Sequence, residues 1–174
     1  MAQAVPGVAA IVVMGVSGAG KSTVGRLIAA HLDCPFRDAD SFHPQANIEK
    51  MSRGEALTDE DRWPWLRAIA DWIAAHRAAA STGVVTCSAL KRRYRDLLRQ
   101  ADPDLRFAHL TGPRGMIAAR MQTRIGHYMP ITLLDSQLRD LEPLQPGEAG
   151  ITLDITQPPE TLVADIIASS QQTQ

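Results

Sequence analysis

Gly15 to Ser22 read GVSGAGKS, a glycine-rich turn that closes on a lysine and a hydroxyl. The spacing G-x-x-x-x-G-K-[ST] suits one kind of chemistry. Glycines let backbone N–H groups turn inward around phosphate oxygens, and a helix starting behind them adds its positive dipole end. The lysine neutralises β- and γ-phosphate charge, and the hydroxyl is placed to ligate Mg²⁺. Gly15, Val16, Ser17, Gly18, Ala19, Gly20, Lys21, Ser22 and Thr23 are therefore the candidate ATP-binding residues. Lys21 is also a catalytic candidate and Ser22 a metal ligand. The sequence has no Asn-Lys-x-Asp motif of the kind that reads guanine, which argues against a GTPase. The apolar run GVVTCS ends in Cys87 and Ser88, not in the acid an ATPase motor would place there.

The carboxylates stand elsewhere, at Asp38 and Asp40, one residue apart after the short run CPFR. Beside a phosphate loop, Asp38 can hold Mg²⁺ through water while Asp40 takes or orients an acceptor hydroxyl proton. Transfer to such a hydroxyl must exclude water, which kinases do by closing a loop that carries cations. Thr123 to Gln137, TRIGHYMPITLLDSQ, interrupts helical periodicity with Gly126 and Pro130. It places Arg124 and His127 on a candidate lid, residues 123–133, with Arg124 catalytic. Arg120, one turn earlier, is positioned to stack on a base or pair with a phosphate. Asp40, His43, Ser88, Lys91 and His127 are the candidate substrate ligands. Within LKRRYR, Lys91 falls in the first turn after a strand end and is expected to face the site. Arg92, Arg93 and Arg95 are expected to divide between surface and salt bridges.

These residues need elements to position them. The β-branched run Val8 to Met14 reads as a strand covered on both faces. From Lys21 the pattern is helical, with Val24, Leu27, Ile28 and Leu32 on one face. A short strand in CPFRDAD, a short helix from His43 to Met51 and a loop to Leu57 follow. A long helix runs from about Asp61 to Ala80, with Pro64 in its first turn and Asp59, Glu60 and Asp61 at its positive end. Then come the strand GVVTC, the helix SALKRRYRDLLRQA, the strand LRFAHL and the helix RGMIAARMQTR. Past the candidate lid lie a helix from Leu133 to Leu141, the strand GITLDI and a helix from Pro159 to Ala168. Ser169 to Gln174 is expected to fray. Strands alternating with helices predict an α/β fold with a parallel sheet, and ligands of such sheets gather at the carboxyl ends of the strands. DITQPP, after the last strand, supplies a proline corner where the adenine would lie.

The chain has 174 residues, one domain on size, with 45% hydrophobic residues and a net charge of −1. That balance gives no electrostatic case for nucleic acid or an anionic membrane. No apolar run reaches the length of a membrane span. Cys34 and Cys87 fit no metal spacing and read as reduced thiols of a cytoplasmic protein.

Four blocks, MGVSGAGKST, DADSFHPQANIEKMSRGEALTDEDRWPWL, CSALKRRYRDLLR and RIGHYMPITLLDSQLRDLE, together resemble the gluconokinase family of small P-loop kinases. The resemblance covers about Ile11 to Pro158; the second and fourth blocks carry its specificity. It implies a nucleoside- and shikimate-kinase-like three-layer fold with a five-stranded parallel sheet in the order 2-3-1-4-5, a mobile lid and a homodimer. It implies ATP- and Mg²⁺-dependent phosphorylation of D-gluconate at its 6-hydroxyl. On this resemblance Gly15 to Ser22 bind ATP phosphates and Mg²⁺, Asp40 meets the acceptor hydroxyl, Arg120 stacks near adenine, and Arg124 and His127 close as the lid. Tyr128 and Leu138 stand where many members carry Phe. The residues alone do not separate gluconate from shikimate or another hydroxy acid. Outside enzymes, an ATP-binding regulatory module is the competing reading.

Overall fold

The computed structural model describes residues 5–123 and 130–172. Its centre is a strand in which alternate residues face opposite helical layers. In β1 (Ala10–Met14), Ile11 and Val13 point into one core, and Ala10, Val12 and Met14 into the other. All five are fully buried, as a strand covered on both faces requires.

β2 (Phe36–Arg37), β3 (Gly83–Thr86), β4 (Arg106–Thr111) and β5 (Gly150–Asp154) complete a parallel sheet in the order β2-β3-β1-β4-β5. This is the expected order. One face is covered by α1 (Lys21–Leu32), α5 (Arg114–Thr123), α6 (Thr132–Asp140) and α7 (Pro159–Ser170). The other is covered by α3 (Asp59–Ala78) and α4 (Arg92–Ala101). The short α2 (Gln45–Ser52) lies outside both layers, where Met51 packs with Leu57 and Leu133.

Several boundaries differ from the sequence expectation, each for a local reason. α3 starts at Asp59, because Thr58 and Asp61 form a reciprocal capping box. A one-turn 3-10 helix, Ala39–Phe42, follows β2, nucleated by the Asp38 side chain accepting the Asp40 N–H at 3.0 Å. α7 extends to Ser170, which was expected to fray; its side chain is 3% exposed and its Oγ donates to Ile167 O.

The largest difference lies after β3. Ser88 to Lys91 was expected to begin a helix, yet α4 starts only at Arg92. Ala89 sits in the left-handed region at φ 44°. The Ala89 and Leu90 carbonyls are taken by Arg95 Nη1 at 2.8 and 3.3 Å. Arg95 was expected near the surface or in a salt bridge. It is fully buried, bridged to Glu148 by Nε–Oε1 at 2.8 Å and Nη2–Oε2 at 3.1 Å. This bidentate pair locks the 143–148 loop and the turn after β3 together.

Candidate active site

The carboxyl ends of the strands open onto a cavity of 590 Å³. Its floor is the turn between β1 and α1. At Gly15, φ is 143° and an added Cβ would stand 2.6 Å from Leu110 O. At Gly18, φ is 82° and an added Cβ would meet Met121 Cγ at 2.6 Å. Only glycine fits either place, so the loop can turn where it does and lead into the α1 N-terminus. Ser17 through Thr23 line the cavity. Gly15 and Val16 do not: Gly15 abuts the β4 backbone, and Val16 is buried with its carbonyl accepting from Lys21 Nζ at 2.8 Å.

Asp38 stands opposite, at the end of β2. Its Oδ2 accepts from Ser22 Oγ at 2.6 Å and its Oδ1 from the Asp40 N–H at 3.0 Å. Burial works against the charged carboxylate, but these two hydrogen bonds and the Lys21 charge outweigh it. The Asp38 carboxyl is therefore held below its ordinary range and is ionised near neutral pH. Asp40 is exposed on the cavity wall.

His43 lines the same wall, stacked on Trp65 with ring centroids 4.3 Å apart. Burial and the Arg62 charge push it down to about 4, so its ring is neutral at physiological pH. Its Nδ1 lies 3.3 Å from Asn47 Nδ2. With Nδ1 accepting that amide N–H, the ring proton sits on Nε2.

Ser88 lines the cavity, and its carbonyl accepts the Gly15 N–H at 3.3 Å. Arg120 lines it too, with Nη2 donating to Ile155 O at 3.4 Å and Nη1 close to Gly20. Ile155, Gln157 and Pro159 form the same end, which is where DITQPP was expected to lie. Lys91, expected to face the site, does not line the cavity. It is the N-cap of α4, not part of the cavity wall, and its Nζ lies 3.5 Å from Asp59 Oδ1. The delayed start of α4 turns it away. Arg92 and Arg93 are half-exposed and paired with Asp96 and Asp59. Arg124 and His127, like Tyr128, lie outside the described residues.

Two cavity residues were not legible beforehand. Arg62, on α3, is 7% exposed; its Nη1 meets Tyr94 Oη at 3.0 Å and lies 3.9 Å from Asp140 Oδ2. Tyr94 Oη in turn donates to Asp59. Gln137, on α6, accepts the Ser17 N–H at 2.7 Å. The fully buried Cys87 thiol, at the end of β3, shows how these charges converge. Burial first pushes it up to about 12; Lys21 and Arg62 pull it down and Asp40 pushes it up.

His43 and His109 together set a pH window. His109, on β4, is 3% exposed, and burial, Arg95 and Lys21 push it down to about 4. Between about 4 and 6.5 the unfolded chain binds more protons than the native one. Stability present above 6.5 is therefore lost as pH falls to about 4. Urea midpoints should drop across that window, and His109→Leu should flatten the slope. A His109→Leu chain with the wild-type slope would exclude His109 from the linkage. Asp61 and Glu148, both lowered to about 2, lose their contribution as pH falls from their ordinary values of 3.8 and 4.5 toward about 2.

Comparison with known proteins bears on this arrangement. The shikimate kinase family model matches residues 17–136. A gluconokinase of Gluconobacter oxydans is 44% identical over 161 residues, 92% of this chain and 90% of that one. The thermoresistant gluconokinase of Escherichia coli is 43% identical over 157 residues, 90% of each chain. The crystal structure of a gluconokinase from Sinorhizobium meliloti superposes with a TM-score of 0.84 at 46% identity, covering 96% of this chain and 93% of that one.

Proposed function

The chain belongs to the gluconokinase family, and on that premise we propose that it transfers the γ-phosphoryl group of ATP to the 6-hydroxyl of D-gluconate, giving 6-phospho-D-gluconate. One observation carries the reading to this chain. A single cavity is lined on one side by the phosphate loop and on the other by Asp40, His43 and Arg62. Phosphate donor and small anionic acceptor can therefore meet in one cleft.

ATP lies with its adenine toward Arg120, Ile155 and Pro159 and its phosphates over Ser17 to Thr23. Ser22 Oγ and Asp38 are the residues that would hold Mg²⁺. A hydroxyl beside an ionised carboxylate is a hard oxygen set, and it leaves the remaining positions to water and phosphate oxygens. Bound there, the ion would offset charge on the β- and γ-phosphates. Among the described residues no group of three His, Cys, Asp or Glu could hold a metal.

The acceptor lies along the opposite wall. Arg62 meets its carboxylate: among the described residues its hydrogen bond and its ion pair both use Nη1, which leaves Nε–H and Nη2 as a fork. The neutral His43 donates from Nε2 to a chain hydroxyl, and Ser88 lies within the same wall. Asp40 takes the 6-hydroxyl proton as the O–P bond forms, the bond to the β-phosphate oxygen breaks and ADP leaves. Lys21 meets the charge on the transferring phosphoryl group. The resemblance alone assigns Arg124 and His127 to the closing lid. The homodimer and the cytoplasmic location belong to the same proposal. No helix among the described residues is long and apolar enough to cross a membrane.

ADP release measured against gluconate, shikimate, other sugar acids, neutral sugars and nucleoside monophosphates tests this reading. Gluconate should stimulate turnover far above the intrinsic ATPase. Stimulation by shikimate but not gluconate would move the chain to another hydroxy acid. No stimulation by any acceptor would favour a regulatory module.

A further inference from the structure

The peptide unit joining Val16 to Ser17 is held at both ends. Its N–H, on the 5% exposed Ser17, donates to Gln137 Oε1 at 2.7 Å. Its carbonyl accepts from Lys21 Nζ at 2.8 Å and from the Ala19 N–H at 3.3 Å. A trans peptide is a rigid plane whose N–H and C=O point in opposite directions, so rotating it moves both groups together. A buried N–H stripped of its acceptor is costly, so the side chain at 137 constrains the plane. That constraint comes from α6, 120 residues further along the chain. Three residues on, Asp140 stands 3.9 Å from Arg62, so α6 reaches the phosphate loop and the acceptor wall alike.

We propose that Gln137 is a positioning residue for Lys21: it pins the Val16–Ser17 peptide plane, and the carbonyl of that plane sets where the lysine ammonium stands when phosphate arrives. The proposal rests on the reading of Gly15 to Ser22 as the ATP site. Without the Gln137 acceptor the plane turns to find another partner, the Val16 carbonyl swings with it, and the hydrogen bond it accepts from Lys21 Nζ is displaced. The effect assigned to Gln137 runs through the Val16–Ser17 peptide unit, not through contact with a reacting atom.

A double-mutant cycle separates this role from a merely structural one. MgATP affinity is measured by calorimetry for wild type, Gln137→Met and Gln137→Asn, each with and without Lys21→Ala. Met fills the space without an acceptor, and Asn keeps the amide one carbon short. In the Lys21 background both variants should bind MgATP roughly 10-fold more weakly, with gluconate KM at saturating ATP changed by less than about 2-fold. In the Lys21→Ala background the same substitutions should change affinity by less than about 2-fold. Equal losses in both backgrounds, or no loss in the first, overturn the proposal. Should Gln137→Met fail to fold, Gln137→Asn alone decides it. Failure of the underlying reading looks different: wild type would not bind MgATP, or Lys21→Ala would bind it as wild type does.

Discussion

Asp40→Asn is expected to lower gluconate-dependent kcat by roughly 10²- to 10⁴-fold while leaving MgATP affinity within about 2-fold of wild type, as befits loss of a general base. The geometry makes this substitution clean. Asparagine keeps the volume and the backbone N–H that donates to Asp38 Oδ1 at 3.0 Å. The Asp38–Ser22 pair that would hold the metal is therefore untouched. What is lost is the capacity of the exposed side chain to take a proton from the acceptor hydroxyl. Single-turnover transfer, started by mixing gluconate with preformed enzyme–MgATP, isolates that step from product release. A variant with near wild-type turnover would remove Asp40 from the mechanism. A variant that loses ATP binding as much as turnover would place Asp40 with the nucleotide.

What could be read beforehand followed the range of the interactions involved. The phosphate loop is local: nine consecutive residues dictate its shape, and the glycine positions follow from backbone sterics. β1 was legible because a β-branched run covered on both faces says so by itself. Lys91 misled because α4 starts where Arg95 lets it, and Arg95 is placed by Glu148, 53 residues away. Nothing in LKRRYR announces that. Ser170 was expected to fray for the same reason: its burial depends on where the last helix docks. Arg62 and Gln137 escaped notice because arginine and glutamine in amphipathic helices are ordinary. Their roles come from Tyr94, Asp140 and the Ser17 amide, each brought near by folding.

Arg62→Gln is expected to raise the gluconate KM by roughly 10²-fold, the scale of losing a charge-assisted fork to a carboxylate in a sheltered site. MgATP affinity should hold, because Arg62 stands on the acceptor wall and not among Ser17 to Thr23. The substitution leaves Tyr94 Oη donating to Asp59, so the α3–α4 packing retains its polar anchor. Arg62→Lys should recover only part of the loss, since an ammonium supplies the charge without the planar fork. A neutral analogue of gluconate, with the carboxylate replaced by a hydroxymethyl group, distinguishes recognition from general disruption. Wild type should strongly prefer gluconate over the analogue, and Arg62→Gln should nearly abolish that preference. An equal loss toward both compounds would mean that Arg62 shapes the wall without reading the charge, and the carboxylate would have to be sought elsewhere in the cavity. A gluconate KM unchanged from wild type would exclude Arg62 from acceptor binding altogether.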